Sequence, residues 1–592
     1  MHVLGRLKAN KLPKWVIFLD TETYEKEITK TKKQLFLKVG YARLTRRSRG
    51  GTFETVSECV FTTRFGLFRW LSGVLVHKQR YYIVAHNVSF DWRITGLSHY
   101  FDSRLYKRTV FIESGLNFIV RYSKKKQGVV VMNNMQLFNM SLRKLGASIG
   151  FDKGEVDFKA VSKKDLIAYC KRDVEVMVVA WNKLCSFIRD NDLGNFNLTL
   201  ASDAMGAFRH RFMDQHIVIH NNPDAIALER AAYHGGRVEM FFQGRTNCGP
   251  IYSLDVNSMY PYVMRQSPVP IRLVRFFRHP TPAQFESVRR AYGYIVEATI
   301  KIDEPTLPLV YNNRLCFPVG TVRGTFARPE LERSLISGQL LEVHTLAAYE
   351  EAVIFDKYVY FFYEKRKQYK KEGNLAFEMI CKLMLNSLYG KFGQRNLVYK
   401  KIAENTKVPD GMYSVIETWN QRPTTYRVYK GVVEKETGYE EGYNSFVAIA
   451  AYITSLARAQ LYEYIKLAGR ENVFYCDTDS LFVNELGHAR LSSVIDPARL
   501  GALKLEGIEP YAEFYGSKRY RFGTKIRSKG IRAGAREISP GMFEQEKWRG
   551  FRGALRSGDS DSVQIDVVRK EISSKYLKGF VLPSGVVSPF RL

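Results

Sequence analysis

The chain has 592 residues, of which 45% are hydrophobic and 13% aromatic, enough to form sizeable cores in roughly two to four domains. Its 90 Lys and Arg residues outnumber 59 Asp and Glu residues, and the formal net charge of +31 favours a polyanionic partner, nucleic acid first, over a basic surface without a partner or a membrane-surface protein. The seven cysteines are scattered and include no CxxC pair, which argues against a zinc ribbon and a secreted disulfide framework.

The start of the chain gives no sign of export. Without a disulfide framework, a reducing compartment inside a cell is expected. No apolar window approaches the length of a membrane span, so no membrane partner is predicted. Basic residues occur before residue 15, but the apolar core and cleavage site of a signal peptide are missing. A transit peptide stays open, although the first motif begins at Asp20 and leaves little to remove.

Two predicted strands in the first third lead into acidic residues. The apolar run 15–19 is typical of a buried strand and is followed by Asp20 and Glu22. Because alternate residues of a strand share a face, these two carboxylates point the same way. The apolar run 81–85 likewise precedes Asp91. Taken singly, such acids are more often part of a solvated loop than metal ligands.

The third piece of this region is a predicted helix. Apolar residues in 166–177 recur at helical spacing, and Tyr169 and Asp173 lie one turn apart on one face. Such a pair usually only covers a helix surface. In chain order, however, the three pieces read DxE, Nx₂FD and YxxxD. This set resembles the proofreading 3′–5′ exonuclease of the DEDD type with a tyrosine in its last motif.

The resemblance implies a two-metal nuclease site. Two divalent ions, Mg²⁺ or Mn²⁺, would lie roughly 3.5–4 Å apart and activate the attacking water and stabilise the leaving oxygen. Tyr169 would orient the water, and Lys153 would assist. Near Asn133 and Asn134 the family would place an acidic or hydroxyl residue against the DNA strand, and the two amides would donate to phosphate instead. The metal ligands would be Asp20, Glu22, Asp91 and Asp173. The frayed single-stranded end would be held by Thr23, Asn87 and Phe90, with stacking on the last.

A mixed helical stretch over residues 183–232 leads to a glycine pair. It runs into Tyr233, Gly235 and Gly236. Paired glycines let a backbone approach a ligand closely, although without context they indicate a plain turn.

The next predicted strand ends in an acid. The run 251–261 predicts a strand up to Asp255 and then a helix. It resembles motif A of the family B DNA polymerases, DxxSLYP, with Met259 in place of Leu. In that family a Tyr-x-Gly-Gly element binds template and balances synthesis against degradation.

The resemblance to motif A also implies particular roles for its residues. Asp255 would be a catalytic metal ligand, joined by Val256. The backbone amides of 256–258 would receive triphosphate oxygens, with the Ser258 side chain close by. Tyr260 would exclude a ribose hydroxyl, so that the site prefers deoxynucleotides.

Residues 355–392 predict two basic helices joined near residues 372–374. In the second helix Lys382, Asn386 and Tyr389 share one face. Basic helix faces are usually only solvated, but the run KLMLNSLYG resembles motif B. That resemblance implies that the lysine neutralises incoming phosphate and that the other two line the nascent base-pair pocket. The candidates for a second phosphate contact are Arg366 and Lys370.

Residues 473–483 predict a hairpin with two acids at its tip. Asp477 and Asp479 are the only charges there, and two like charges this close raise one pKa unless a cation such as Mg²⁺ lies between them. A lone DxD is often an ordinary turn. After motifs A and B it resembles motif C, YxDTDS. Downstream, Lys518 and Tyr520 match the KxY element that contacts the primer end.

The motifs occur in the family order, over about residues 15–535. The implied fold is an α/β multidomain one, a ribonuclease-H-like exonuclease followed by a palm-fingers-thumb right hand. The predicted domains are the exonuclease at 1–190, a connection with the YxGG element at 191–250, palm and fingers at 251–485 with insertions at 262–354 and 394–442, and a thumb with a tail at 486–592.

The implied function is template-directed DNA synthesis from dNTPs with proofreading, using two ions at each active site. The short chain, Lys153 and the YxGG element indicate the protein-primed branch of phages, linear plasmids and related viruses. Expected partners are template and primer DNA, dNTPs and a terminal protein, and a monomer is expected. The compartment, whether host cytoplasm, nucleus or organelle, stays open. The alternatives are ordinary nucleic-acid priming, a nuclease that has lost synthesis, and a non-catalytic DNA-binding replication scaffold.

Overall fold

The computed structural model describes residues 1–76, 79–155, 162–417, 421–573 and 575–592. In the first third, the strands are β1 (His2–Val3), β2 (Trp15–Thr29), β3 (Lys32–Arg47), β4 (Phe53–Phe61), β5 (Arg80–Ala85), β6 (Lys107–Ser114), β7 (Asn117–Lys124) and β8 (Gln127–Asn133). The helices there are α1 (Arg64–Val74), α2 (Val88–Thr95), α3 (Leu97–Ser103), α4 (Leu142–Ser148) and α5 (Lys163–Asp190).

These elements form an N-terminal sheet covered by α5. Strand β2 pairs with β3 on one side and with β5 on the other, and β5 continues to β8, β7 and β6. The predicted strand at 15–19 is confirmed, but it runs on to Thr29, with a bulge between Glu22 and Thr23. Helix α5 confirms the predicted helix and buries Trp181 against Phe18 of β2.

The second region begins with helices. Its elements are α6 (Leu200–Ala207), a π-helix (Phe208–Phe212), β9 (Val218–Ile219), α7 (Pro223–Ala232), β10 (Val238–Met240), β11 (Gly244–Arg245), β12 (Ile251–Val256), α8 (Met259–Gln266), β13 (Val269–Arg278), α9 (Pro282–Ala291), β14 (Gly293–Ile302), β15 (Leu309–Tyr311), β16 (Arg314–Cys316), β17 (Gly320–Ala327), α10 (Arg328–Ser334) and β18 (Gln339–Ala352). Strands β13, β18, β14 and β17 lie inside the predicted insertion 262–354 and form a six-stranded sheet together with β1 and β9.

The third region holds the predicted fingers and the hairpin. Its elements are α11 (Asp356–Lys371), α12 (Leu375–Phe392), β19 (Arg395–Ala403), β20 (Gly411–Ile416), β21 (Pro423–Tyr429), β22 (Val432–Glu441), α13 (Val447–Ala468), β23 (Val473–Asp477) and β24 (Ser480–Val483). The helix pair and the hairpin are confirmed. The stretch 394–442, predicted as an insertion, is a sheet in the order β19-β22-β21-β20, and its residues 418–420 lie outside the described residues.

The last region is mostly strands. Its elements are α14 (Glu485–Arg490), β25 (Leu503–Glu509), β26 (Ala512–Gly516), β27 (Arg519–Phe522), β28 (Lys525–Ser528), β29 (Arg536–Ser539), β30 (Met542–Trp548), α15 (Phe551–Arg556), β31 (Val563–Glu571), β32 (Phe580–Val581) and β33 (Val587–Ser588).

These strands join sheets formed earlier in the chain. Strand β25 completes a hairpin sheet in the order β10-β23-β24-β12-β25, while β31 pairs with the first residues of β3 and extends the N-terminal sheet. None of the described helices has the length and hydropathy that crossing a lipid bilayer requires.

Candidate active sites

The four acids of the first motifs lie together at the edge where β2 meets α2 and α5. Asp20 interacts electrostatically with Glu22, Asp91 and Asp173. Asp91 and Asp173 are only 3% and 2% exposed. The hydroxyl of Thr21 donates to Asp91 at 2.6 Å and fixes its carboxyl group. The structure therefore brings together all four predicted ligands from three separate elements.

Burial makes this cluster costly to ionise without a cation. Burial, reinforced by the neighbouring acids, raises the pKa of Glu22 to about 7. It also raises the pKa of Asp91 to about 8 and that of Asp20 well above its usual value. Among the described residues, Asp20 Oδ2 and Asp173 Oδ1 are buried oxygens without a hydrogen-bond partner. Unpartnered buried carboxylate oxygens are the donor set that a divalent cation satisfies.

Lys153 lies inside this cluster. Its ammonium donates to Asp173 Oδ2 at 2.6 Å and lies 4.5 Å from the centre of the Tyr169 ring. Burial lowers and Asp173 raises the pKa of Lys153, with a net upward shift. The lysine is therefore held charged between the tyrosine and the acid.

The residues expected to hold the frayed strand border the same cluster. Thr23 follows the bulge in β2, and Asn87 precedes α2 with a left-handed φ of 78°. The Phe90 ring lies 6.0 Å from the ring of Trp548, which is 45% exposed. No sequence pattern pointed to Trp548, because the residue comes from β30, more than 450 positions away.

The expectation that Asn133 and Asn134 donate to phosphate is wrong. Both residues are buried, with 4% and 0% exposure. The Asn133 side chain accepts from the amide of Asn87 and donates to the carbonyl of Leu116. Asn134 bonds to His86 and Trp181. Their side-chain amides bond to other residues inside the domain and are not available to the phosphates of a DNA strand.

One residue beside this cluster was not predicted. Cys170 follows the motif tyrosine in α5, is 0% exposed, and interacts electrostatically with Asp20 and Glu22. Three possible metal-ligand atoms lie within 4.8 Å of one another: a carboxylate oxygen of Asp20, a carboxylate oxygen of Glu22 and the sulfur of Cys170. No general motif marks this cysteine, and only its place next to Tyr169 could have drawn attention to it.

The hairpin sheet brings the motif A and motif C acids to one face. Asp255 of β12 and Asp477 of β23 both pair with Ser480 of the central strand β24. Residues directly opposite each other in antiparallel strands point to the same side of a sheet. Both carboxylates therefore flank Ser480 on one face, about 10 Å apart at their Cα atoms from the strand spacing.

The turn places the third acid beside them. The amide of Asp479 donates to the Asp477 carbonyl at 2.7 Å, and Thr478 between them has a left-handed φ of 66°. Burial and then Asp479 raise the pKa of Asp255 to about 7. Burial and then Asp477 raise the pKa of Asp479 to about 6.

Cationic side chains surround these acids. Lys518 donates to both oxygens of Asp477, at 2.8 and 3.1 Å. Lys382 of α12 interacts electrostatically with Asp255 and Asp479. Lys504 of β25, which the sequence analysis did not single out, lies opposite Asp255 in the pairing of β12 with β25.

The two candidates for a second phosphate contact separate in the structure. Arg366 donates to the Ser258 hydroxyl at 2.9 Å and contacts Glu378 at 3.4 Å. Lys370, one turn further along α11, is exposed, and no contact ties it to Ser258. Of the two, Arg366 is the one that reaches motif A.

The expectation that consecutive amides of residues 256–258 receive triphosphate oxygens is wrong for two of them. The Val256 amide donates to the Asp479 carbonyl at 2.7 Å, and the Asn257 amide donates to the Ala502 carbonyl at 2.9 Å. An amide has one hydrogen to donate, so these two are already used. Only the Ser258 amide of the three stays a candidate, and a role of Val256 at the metals stays a prediction.

The predicted base-pair pocket is lined by two stacked rings. Tyr260 and Tyr389 lie 4.9 Å apart with planes 14° from parallel. Asn386 lies about one helical turn before Tyr389 on α12 and is half-buried. The structure thus groups these motif A and motif B residues.

The YxGG element packs against the tip of the hairpin. The Thr478 amide donates to the Arg237 carbonyl at 2.7 Å, and a Cβ on Gly236 would lie 2.7 Å from Thr478 Cγ2. Gly236 thus permits the close approach, while Gly235 is exposed. Tyr233 lies against Gly393 beyond α12, where a Cβ would lie 2.6 Å from its ring.

A buried arginine, also unpredicted, anchors this element. Arg458 of α13 donates to the carbonyls of His234 and Gly235, both at 2.9 Å. It also donates twice to the Glu330 carboxylate, at 2.8 and 2.6 Å. The two charged side chains are 1% and 2% exposed.

The two residues of the KxY element have different surroundings. Lys518 reaches the acids, and its amide donates to the Tyr475 hydroxyl at 2.7 Å. Tyr520 is only 8% exposed and packs against Tyr475 and Phe482. Its ring therefore belongs to the core under the hairpin, and a primer contact of Tyr520 stays a prediction.

Comparisons with known proteins find DNA polymerases. The family model described as DNA polymerase type B, organellar and viral, matches residues 155–468. A probable DNA polymerase of Neurospora intermedia is 25% identical over 377 residues, which cover 60% of this chain and 37% of that protein. The DNA-directed DNA polymerase of Enterobacteria phage PRD1 is 29% identical over 406 residues, covering 66% of each. The matched part thus spans less than two thirds of these relatives.

The fold is similar to that of Phi29 DNA polymerase complexed with primer-template DNA and incoming nucleotide substrates. The TM-score is 0.68 at 16% identity, covering 95% of this chain and 100% of that one. This likeness confirms the predicted α/β multidomain fold, with an N-terminal domain ahead of a palm-fingers-thumb right hand. The domain boundaries and the roles of individual residues stay predictions.

Proposed function

The chain belongs to the type B DNA polymerases of organelles and viruses, and on that basis we propose that it copies a DNA template by joining dNTPs to a primer end. The observation that carries the proposal is the pairing of Asp255 and Asp477 with the same residue, Ser480. That register places the acids of motifs A and C on one face beside Asp479, where the primer hydroxyl and the α-phosphate would meet.

The acids fit a pair of divalent ions, which the family uses. Burial and a neighbouring acid raise the pKa values of Asp255 and Asp479, which a bound divalent cation would offset. Asp255 and Asp477 would hold the ions and Asp479 would support them. Bound Mg²⁺ would lower the pKa of the primer hydroxyl and stabilise the leaving pyrophosphate. Around that centre, Lys382 and Arg366 would bind phosphate charge, and Tyr260 and Tyr389 would line the base-pair pocket.

The decisive experiment is primer extension with Mg²⁺. Asp477→Asn should abolish nucleotide addition, because one ligand carboxylate is lost, while degradation of the primer continues. Asp496→Asn is a matched control, since this acid caps the nearby loop 496–499 without reaching the cluster. Synthesis that persists in Asp477→Asn refutes the assignment. A non-catalytic scaffold would bind DNA and extend nothing in either variant.

The acid cluster of the first domain supports a second activity, 3′–5′ degradation of mismatched ends. Lys153 fixes Asp173 and lies over Tyr169, which would orient the attacking water. Asp20→Ala together with Asp91→Ala should stop degradation and leave synthesis intact. Degradation at the unchanged rate rejects this site.

A basic cavity is a candidate path for the template strand. It has a volume of about 610 Å³ and lies between β6 and β7 of the first domain, the sheet of residues 395–441 and α15. Its cationic lining residues are Lys391, Arg395, Arg427 and Arg552. Such a cavity fits a phosphate backbone, so DNA affinity should fall steeply with rising salt.

We place the chain in the protein-primed branch, acting as a monomer on a linear viral or plasmid replicon inside the host cell. Incubation with a candidate terminal protein and labelled dATP should leave a covalent nucleotide on that protein. A label that appears only with nucleic-acid primers would favour ordinary priming.

A further inference from the structure

A thiol completes the acid cluster of the first domain. Cys170 is fully buried and lies beside Asp20 and Glu22. Its sulfur, one oxygen of Asp20 and one oxygen of Glu22 lie within 4.8 Å of one another. Two oxygens, one from each of two acids, and a sulfur at this spacing form a mixed ligand set, which hard and soft divalent ions use differently.

A second observation points to a ligand at the same place. Asp173 is 2% exposed, and its Oδ1 lacks a hydrogen-bond partner among the described residues, as does the buried Oδ2 of Asp20. Asp173 interacts electrostatically with Asp20, Glu22 and Cys170, so its free oxygen belongs to the same cluster. Burying such oxygens is costly unless a cation contacts them.

We propose that Asp20, Glu22 and Cys170 form a binding site for a thiophilic divalent cation, Zn²⁺ or Cd²⁺, which competes with Mg²⁺ and stops strand degradation. Mg²⁺ takes oxygen ligands and would leave the sulfur unused. Zn²⁺ takes thiolate and carboxylate together, and closing to its usual bond lengths of about 2.0–2.3 Å needs only small side-chain movements. On binding, a sulfur–metal bond replaces the S–H bond, and the proton leaves to solvent.

The inference rests on the proposed exonuclease only for its effect on degradation. Cation binding itself does not require an active enzyme. A direct test is therefore a titration of the metal-free full chain with Cd²⁺, followed by the ultraviolet charge-transfer absorption of the cadmium–thiolate bond. Cys59 and Cys248, the cysteines that are not buried, are first replaced by Ser so that they do not bind the probe.

The expected result is a signal that saturates at one equivalent of Cd²⁺ and disappears in Cys170→Ser. Cys185→Ser is the matched control, because Cys185 is buried in the same helix but contributes no atom to the cluster. Its signal should equal that of the parent. Asp20→Asn retains the thiol and should bind Cd²⁺ at least about tenfold more weakly. A signal that survives Cys170→Ser, or an affinity unchanged by Asp20→Asn, overturns the inference.

Degradation gives an independent readout. Relative to each variant's own rate in Mg²⁺, half-inhibition by Zn²⁺ should need at least about tenfold more Zn²⁺ in Cys170→Ser than in Cys185→Ser. Equal inhibition of the two variants refutes the proposed competition. If the parent binds Cd²⁺ through Cys170 but never degrades DNA in Mg²⁺, the exonuclease proposal fails and the cation site stands.

Discussion

Replacing Arg458 by Met tests how the YxGG element is held against the catalytic hairpin. The substitution leaves Glu330 buried and unpaired, which costs about 3–5 kcal/mol. It also removes the donors to the carbonyls of His234 and Gly235, at about 1 kcal/mol each. The local free energy of opening around α13 should therefore fall by about 5–7 kcal/mol, a large part of the stability of an ordinary domain.

Hydrogen–deuterium exchange of the amides in α13 measures this change. At about 1.4 kcal/mol per tenfold, exchange should accelerate by about four to five orders of magnitude or up to its unprotected limit. Primer extension should fall more than degradation, because the loosened loop contacts Thr478 and not the acids of the first domain.

Two controls sharpen the test. Arg333 of α10 pairs with Glu463 of α13, between the same two helices, but this pair is 39% and 43% exposed. Arg333→Met should cost less than about 1 kcal/mol. The double variant Arg458→Met with Glu330→Leu removes both buried charges and should recover most of the protection of α13. If Arg458→Met changes exchange by less than tenfold, or if the double variant recovers nothing, the reasoning is wrong.

Further predictions concern the close contact at the hairpin tip and the titration of the acids. Gly236→Ala places a methyl group 2.7 Å from Thr478 Cγ2 and should reduce primer extension at least about tenfold. Combining it with Thr478→Gly should restore extension, because that change removes the clashing side chain and glycine suits the left-handed φ of 66° at position 478. Extension that is unaffected by Gly236→Ala would contradict the packing. Because the pKa of Glu22 is about 7, that of Asp91 about 8 and that of Asp255 about 7, protons compete with Mg²⁺ at neutral pH, so calorimetry should find tighter Mg²⁺ binding and proton release as pH rises from 6 to 8. The same upward shifts mean that the folded chain binds these protons more tightly than the unfolded chain does. Without metal, stability should therefore fall as pH rises from about 4 to about 8, and Mg²⁺ should restore it; a thermal unfolding midpoint in EDTA that rises over this range would refute the assignment of the shifts.

The sequence was informative wherever chemistry depends on short spacing. The turn carrying Asp477 and Asp479, the strand ending at Asp255 and the helix carrying Tyr169 and Asp173 all lie where their local patterns predicted. Each depends on neighbouring residues and on a periodicity of two or 3.6.

Features set by distant pairing could not be predicted in this way. The use of the Val256 amide by Asp479 follows from the order of strands in the hairpin sheet. The burial of Arg458 depends on α13 packing against α10, and the contact of Trp548 with Phe90 depends on β30 joining the sheet of the first domain beside β31. A single buried charge or a single ring contact carries no periodic signal.

Strand β31 has a consequence for how the molecule reaches its final form. Its residues 563–566 pair with residues 32–35 of β3, and Lys33 also contacts Glu546, 513 positions away in the chain. During synthesis that stretch of β3 leaves the ribosome long before its partner and presents an open edge, to which another chain could add. Closing so long a loop is slow, so chaperone demand should peak while residues 36–562 are being made.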